Sequence, residues 1–489
     1  MIFKVSKDRI VDNPSLEKLW EMSKELSIPN NLNLPLFHSK VKSRSAKFTQ
    51  IYSASDPEVQ RYITEVQDFI DSHNMIRVDT KVGDDCNCTF KVSLFVSSKY
   101  PHLAYMFKNN FFESNGRESG QINIVTIPEY PERKILVFPK ESTEIILGSD
   151  YYGETKMAAL RLAMYLAREQ HGHFGLHAGS KAYNLKLGDD MKHFGVLIFG
   201  LSGTGKTTLT CALHDLKVPE SVEIAQDDIN FLNAEACAFG SERNFYVKTD
   251  SITSQPLLLA AVKEQGSILE NVYVSPTGEI DFNNVSVSTN ARAILPRVHI
   301  PFHSTSYDIG KVNVIFFNTR RDDIPPILRV NSPEKAAAVF GLGESTVTSA
   351  DDPSKVGQSV RIVGFNPFII EDPAKEINTF RKILKGKKFQ AFIINTGWIG
   401  GRKKENKIMP QDTFYFVENA LRGNIEFRDD PITGFGIPIS SKEGDISKFD
   451  PMNFYSKVEY NKKMKALRDE RKKFLESMGG VEKDIIDAI

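Results

Sequence analysis

Residues 200–207 read Gly200-Leu-Ser-Gly-Thr-Gly-Lys-Thr207, which fills every required position of a phosphate-binding loop. An apolar, strand-compatible run at 195–199 enters it, and a helix-compatible stretch at 207–214 leaves it. Strand, glycine loop and helix in that order commit this part of the chain to an α/β arrangement. Gly200, Gly203 and Gly205 let the backbone turn so that its N–H groups point at phosphate oxygens. Leu201, Ser202, Thr204 and Thr208 complete that cradle. Lys206 brings a point charge for the β- and γ-phosphates, and the Thr207 hydroxyl can sit on a Mg²⁺ that bridges them. A chance glycine turn would not carry both flanking elements, so the loop predicts a bound nucleoside triphosphate.

The chain has 489 residues, long for one core, and two domains are expected. Its 62 basic residues are matched by 62 acidic ones, so no global field draws it to nucleic acid or to an anionic membrane. No apolar run approaches a bilayer span, and residues 1–9 carry charges rather than the apolar core of a signal peptide. The cysteines, Cys86, Cys88, Cys211 and Cys237, are too few for a disulfide framework and fit a cytoplasmic home. Cys86 and Cys88 have no second Cys or His pair at zinc spacing nearby, so they read as buried or surface thiols. The oligomeric state is left open.

Residues 1–185 mix strand-like runs (89–96, 121–127, 134–139) with a helical one at 14–26. Residues 155–169, rich in Ala, Leu and Met at helical spacing, are the clearest helix. A polar stretch at 184–193 is the expected boundary between an N-terminal α/β domain, 1–185, and a C-terminal nucleotide domain, 186–489. Strand-like runs at 194–199, 269–274, 312–317, 360–363 and 389–394, with helical stretches at 333–340 and 372–384, make up the latter. Residues 457–478 read as a charged helix with a solvated face, because acids are interleaved with its bases.

About twenty residues past the loop, Val222-Glu-Ile-Ala-Gln-Asp227-Asp228 ends a strand in two acids, the usual means of holding a nucleotide's metal. A charged turn after an edge strand is the bland alternative. Before the loop, Gly175-Leu-His177-Ala-Gly-Ser sets His177 among apolar and small residues, where a lone histidine is as a rule structural. Lys42-Ser-Arg44-Ser-Ala-Lys47, taken alone, is surface charge.

In this order the elements resemble the ATP-dependent phosphoenolpyruvate carboxykinase family. Residues 200–209 are identical to that family's loop. Leu269-Glu-Asn-Val-Tyr-Val, Asp281-Phe and Thr289-Asn-Ala-Arg292 are similar to its Leu-Glu-Asn-Val, Asp-Phe and Glu-Asn-Thr-Arg elements. Asn395-Thr-Gly-Trp398 is similar to its Asn-Thr-Gly-Trp segment, and Gly436-Ile-Pro-Ile with Asp450-Pro and Tyr455 to its C-terminal signature. Arg44-Ser-Ala-Lys47 resembles its Arg-Ser-Pro-Lys element, and 100–112 an N-terminal segment, so the likeness runs from about residue 40 to 455.

The resemblance implies a two-domain carboxykinase-type architecture with the active site in the cleft. It implies decarboxylation of oxaloacetate and phosphorylation of the enolate by ATP, giving phosphoenolpyruvate, ADP and CO₂. Arg44 would then bind a substrate carboxylate through its guanidinium fork. Arg292 would hold the phosphoryl group or substrate in transit, Tyr151 would lie near substrate and CO₂, and Glu270 would join Arg292 and the loop on the nucleotide side. His177 and Asp228 would join a lysine, with Lys156 the candidate, in holding Mn²⁺ besides the Mg²⁺ at Thr207.

The chain departs from the family at several of these points. Where the family has Gly-Glu-x-Lys-Lys, with the second lysine a metal ligand, this chain has Gly153-Glu-Thr-Lys156-Met157. Lys156 is one residue out of register, a turn of about 100° on a helix, and a thioether suits a hard divalent ion poorly. Ile229-Asn-Phe-Leu follows the two acids in place of Glu-His-Gly-Trp, and Ala46 replaces a proline. Residues 320–360 keep Pro325-Pro326 but little of the family's closing loop, with Gly341-Leu-Gly-Glu-Ser-Thr as a remnant. Beyond Trp398, Gly400-Gly-Arg402-Lys-Lys404 keeps its basic character. Two other readings stay open: a small-molecule kinase on the same scaffold, and a nucleotide-binding homologue without catalysis. A regulatory GTPase is disfavoured, since no Asn-Lys-x-Asp motif follows the loop.

Overall fold

The run expected as the clearest helix forms one over Tyr152–His171, and it is buried along most of its length. An Ala- and Leu-rich helix apolar on nearly every side can be enclosed in this way. It stops at Gly172, whose φ of 64° turns the chain left-handed while its N–H bonds the Ala167 and Arg168 carbonyls. Glu154, Lys156 and Arg161 are buried with it, so their charges must be answered inside the protein.

The computed structural model describes residues 2–5, 7–44, 46–84, 88–250, 252–347 and 358–489, and Cys86 lies outside them. The chain divides into two units, Met1–Gly175 with Phe239–His303, and Leu176–Ala238 with Ser304–Ile489. The division differs from the one expected at 185/186. The polar stretch there is the tip of a hairpin between Phe174–Leu187 and Asp190–Gly200, closed by the pair Leu187 and Asp190. Residues 239–303 return to the first unit because Ile268–Glu270 pairs in parallel with Leu36–Phe37.

The first unit holds an eight-stranded mixed sheet. Its middle strands, Phe90–Ser97, Gly120–Ile127 and Thr143–Leu147, run parallel and are almost wholly buried, as strands covered on both faces must be. Val59, Val66 and Ile70 of the helix Pro57–Ser72 pack on Phe95, Val125, Leu136 and Ile145 of this sheet. A second sheet joins Phe245–Lys248, Arg292–Leu295, Ile268–Glu270 and Leu36–Phe37. The run expected over 269–274 is broken at Asn271, whose φ is 59°.

The second unit is built on a ten-stranded sheet. Asp190–Gly200, Gly310–Thr319 and Gln390–Asn395 lie parallel in it, matching the expected apolar runs. Val196, Ile198, Val314, Phe316, Phe392 and Ile394 form the core with Phe416 and Val417 of the helix Pro410–Leu421. The helix after the phosphate loop, Lys206–Cys211, is shorter than expected, because Ala212 is extended and His214 and Asp215 turn left-handed. The expected helices at 333–340 and 372–384 form over Pro333–Leu342 and Pro373–Leu384, and the charged tail forms one over Lys457–Ser477. No helix among the described residues is long and apolar enough to cross a membrane.

Candidate functional site

Strand register gathers one set of predicted residues at a single end of the second unit's sheet. In the hairpin Ala178 faces Phe199, so His177 and Gly200 lie together one residue further on. On the other side Ser180 faces Gln226, and the next residues along that chain are Asp227 and Asp228. The parallel strands place Asn318 beside Gly200 and Asn395 beside Thr319. Loop, histidine, acids and Asn-Thr-Gly-Trp segment therefore share the carboxyl end of the parallel strands, where open α/β sheets bind ligands.

Gly203 and Gly205 have φ of 76° and 84°, the left-handed region where glycine costs least. Ser202 and Gly203 are exposed at the loop's tip, and Leu201 and Thr204 are buried beneath it. Thr204 donates its hydroxyl to the Leu201 carbonyl at 2.8 Å, and its own carbonyl accepts from Thr396 Oγ1 at 2.8 Å. Buried Asn395 accepts from the Arg321 and Gly397 N–H groups, so the Asn-Thr-Gly-Trp segment is a buttress of the loop. Thr208 lies on the helix Lys206–Cys211.

Lys206 Nζ donates to the Asp227 carbonyl and lies 4.0 Å from Asp227 Oδ1. The Thr207 hydroxyl donates to Asp227 Oδ2 at 2.8 Å. Burial pushes the Asp227 carboxyl up from its ordinary range, against the pull of Lys206 and the Thr207 hydroxyl. Asp227, named in sequence only as half of an acidic pair, is thus the acid tied to the loop.

Its neighbour faces the other way. Asp228 Oδ1 lies 3.1 Å from His177 Nε2. His177 Nδ1 is 2.6 Å from the Phe365 carbonyl, which can only accept, so Nδ1 carries the proton. In the neutral ring Nε2 then presents a lone pair to a carboxylate oxygen. Two lone-pair atoms at that distance are stable only with a cation, a proton or a metal, to answer them. A backbone carbonyl fixing the tautomer of a histidine is the usual support for a metal ligand. The pair fits a divalent ion on these grounds, although among the described residues no group of three or more His, Cys, Asp and Glu is placed to hold one.

The first unit brings together the other set. The Tyr151 hydroxyl accepts from Asn290 Nδ2 at 2.8 Å, and Asn290 Oδ1 accepts from Arg292 Nη2 at 2.9 Å. Tyr246 donates to Glu270 Oε2 at 2.6 Å, and Glu270 Oε1 accepts the Tyr152 N–H at 2.7 Å. Burial lifts the Glu270 carboxyl to about 7 in spite of those donors. Both of its oxygens are engaged within this unit, which makes it a support for Tyr246 and the start of the long helix. Lys156 Nζ is 3.1 Å from Glu242 and 5.1 Å from the centre of the Tyr246 ring, the place of an ion-pair partner. Met157 is buried in the same helix.

Arg44 Nε and Arg161 Nη2 each lie 3.7 Å from Glu154 Oε1, and Arg133 Nη2 lies 3.5 Å from Glu154 Oε2. Burial draws the Arg44 guanidinium down to about 10, with Glu154 opposing. Sequence reasoning did not select Asn290, Tyr246, Glu242, Glu154 or Arg133. Only Asn290 and Glu154 had a signal, as neighbours of motif residues.

A family model described as phosphoenolpyruvate carboxykinase matches residues 46–445. A phosphoenolpyruvate carboxykinase (ATP) of Aeropyrum pernix is 35% identical over 461 residues, covering 94% of this chain and 93% of that one. One of Rhizobium johnstonii is 29% identical over 322 residues, 64% of this chain and 57% of its own. One of Brucella melitensis is 28% identical over 372 residues, 71% and 66% respectively.

Proposed function

This chain belongs to the phosphoenolpyruvate carboxykinase (ATP) family, and we propose that it decarboxylates oxaloacetate and phosphorylates the product from ATP, giving phosphoenolpyruvate, ADP and CO₂. The observation that carries this reading is the strand register that sets a complete phosphate loop beside the His177–Asp228 pair. Family membership disfavours the two alternatives, a kinase for another acceptor and a homologue without catalysis.

The loop N–H groups and Lys206 bind the triphosphate, and Asp227 aims the Thr207 hydroxyl. Thr207 would hold Mg²⁺, and His177 with Asp228 would hold Mn²⁺. A divalent cation offsets the negative charge that gathers on an enolate oxygen and on a phosphoryl group in transfer. Arg44 binds a substrate carboxylate and is kept in place by Glu154. Tyr151, hydrogen-bonded to Asn290, presents its ring and hydroxyl to substrate and CO₂. Arg292, oriented by the same asparagine, holds the phosphoryl group. Such transfer depends on positioning and charge neutralisation, which these residues supply. Few cysteines and balanced charge suit such an enzyme to the cytoplasm.

A coupled assay with oxaloacetate, ATP, Mg²⁺ and Mn²⁺ tests this, with Lys206→Ala as the control. Phosphoenolpyruvate formed by the native protein and lost in the control is the expected result. ATP binding without product would overturn the reaction and leave only the nucleotide site.

A further inference from the structure

The strand Phe174–Leu187 alternates its side chains, so His177, Gly179, Lys181 and Tyr183 share one face. Each of the last three meets the phosphate loop's helix or the turn that follows it. A Cβ at Gly179 would lie 2.1 Å from Thr210 Oγ1, so the helix rests on bare backbone there. Lys181, fully buried, donates from Nζ to the Leu209 carbonyl at 3.1 Å and to the Ala212 carbonyl. The Tyr183 hydroxyl is 2.8 Å from His214 Nε2, whose Nδ1 is 3.1 Å from Glu418 Oε1.

The helix Lys206–Cys211 is six residues long and has no glycine to end it, since Ala212 is simply extended. Two carbonyls at this end, those of Leu209 and of Ala212 just past the helix, accept from Lys181. A cation or amine at this end also suits the helix dipole. Burial draws the Lys181 amine down to about 7, but both protonation states donate hydrogen bonds, so the cap survives either way.

We propose that Lys181 and Gly179 are positioning residues, which seat the phosphate loop's helix at a set height and register against the strand that carries His177. Lys206 and Thr207 open this six-residue helix, so a shift of its far end is carried to them within about two turns. One strand face thereby sets the spacing between the triphosphate groups and the metal pair. The inference rests on the loop's reading as the ATP site and adds what holds it in place.

The test compares full-length Lys181→Met, Lys181→Arg, Gly179→Ala and Gly179→Ala/Thr210→Ala enzymes, with Lys206→Ala alongside, each normalised to folded protein. Lys181→Met and Gly179→Ala should raise KM for ATP and lower kcat about tenfold each, with KM for oxaloacetate within twofold of the native value. Lys181→Arg should recover part of the loss. Removing the Thr210 side chain should rescue Gly179→Ala by returning the space. A merely structural role would lower the yield and Tm but leave KM for ATP unchanged, and that result overturns the proposal. If Lys181→Met does not fold, the Gly179 and Thr210 pair still decides it: no rise in KM for ATP, or no rescue, sinks it. Unchanged KM for ATP and kcat in Lys206→Ala would instead refute the loop as the ATP site.

Discussion

Where the phosphate loop takes Lys206 and Thr207 from one eight-residue stretch, the ion cluster of the first unit takes Arg44, Arg133 and Arg161 from three separate parts of the chain. On the proposed reading the loop works largely through backbone N–H groups, which strand, glycines and helix supply in one contiguous stretch. The cluster works through side chains whose charges are buried, so it depends on counter-charges such as Glu154 and Glu144. One region carries its reacting groups in one local stretch that a neighbouring strand seats; the other is collective, and losing one member strands the rest.

This contrast can be broken by mutation. Lys206→Ala should lower kcat by about 10²–10³-fold with little change in Tm, since its loss removes charge from the transferring phosphate. Steady-state kinetics with a thermal melt measures both, and retained turnover would refute the loop's part in transfer. Glu154→Gln should act in the opposite sense, destabilising the fold by about 3 kcal/mol because three guanidinium groups lose a buried partner. A urea titration with no shift in midpoint would show the cluster to be as tolerant as the loop.

Glu270 sharpens the comparison through pH. Its carboxyl is lifted to about 7 from an ordinary 4.5, so between those values the folded chain holds a proton that the unfolded chain has released. Stability should therefore fall as pH rises from 4.5 to 7, and level off above. Urea midpoints at pH 5 and 8 should differ less in Glu270→Gln than in the native protein; an equal difference would mean the group does not titrate in that window. The smallest effect is expected for Tyr246→Phe, which removes one hydrogen bond to Glu270 and should cost about 1 kcal/mol, read from the same titration.

The loop and the long helix were legible because each writes its physics in contiguous residues. The acids after the loop were legible as a pair, and the resemblance set Asp228 with His177, but Asp227 was given no part of its own. Neighbours on a strand or at its end point apart, so Asp228 meets His177 while Asp227 meets Thr207, a partner that the fold alone assigns. Lys156 could be recognised as out of register with the family's ligand, yet its partner Glu242 comes from a distant segment that no local pattern marks. The stretch 184–193 has the composition of a linker, and a hairpin tip has the same composition; the pairing of Leu187 with Asp190 tells them apart.

The return of residues 239–303 to the first unit also bears on how the protein is made. On the ribosome, Leu36–Phe37 emerges long before Ile268–Glu270, the strand it pairs with, and the phosphate-loop hairpin is synthesised between them. A fragment ending at residue 185 would lack three of the four strands of that small sheet. The first unit is therefore completed only after the phosphate-loop segment of the second, 176–238, has been translated, and neither a single cut nor a circular permutation makes it contiguous; that takes splicing 239–303 onto 1–175.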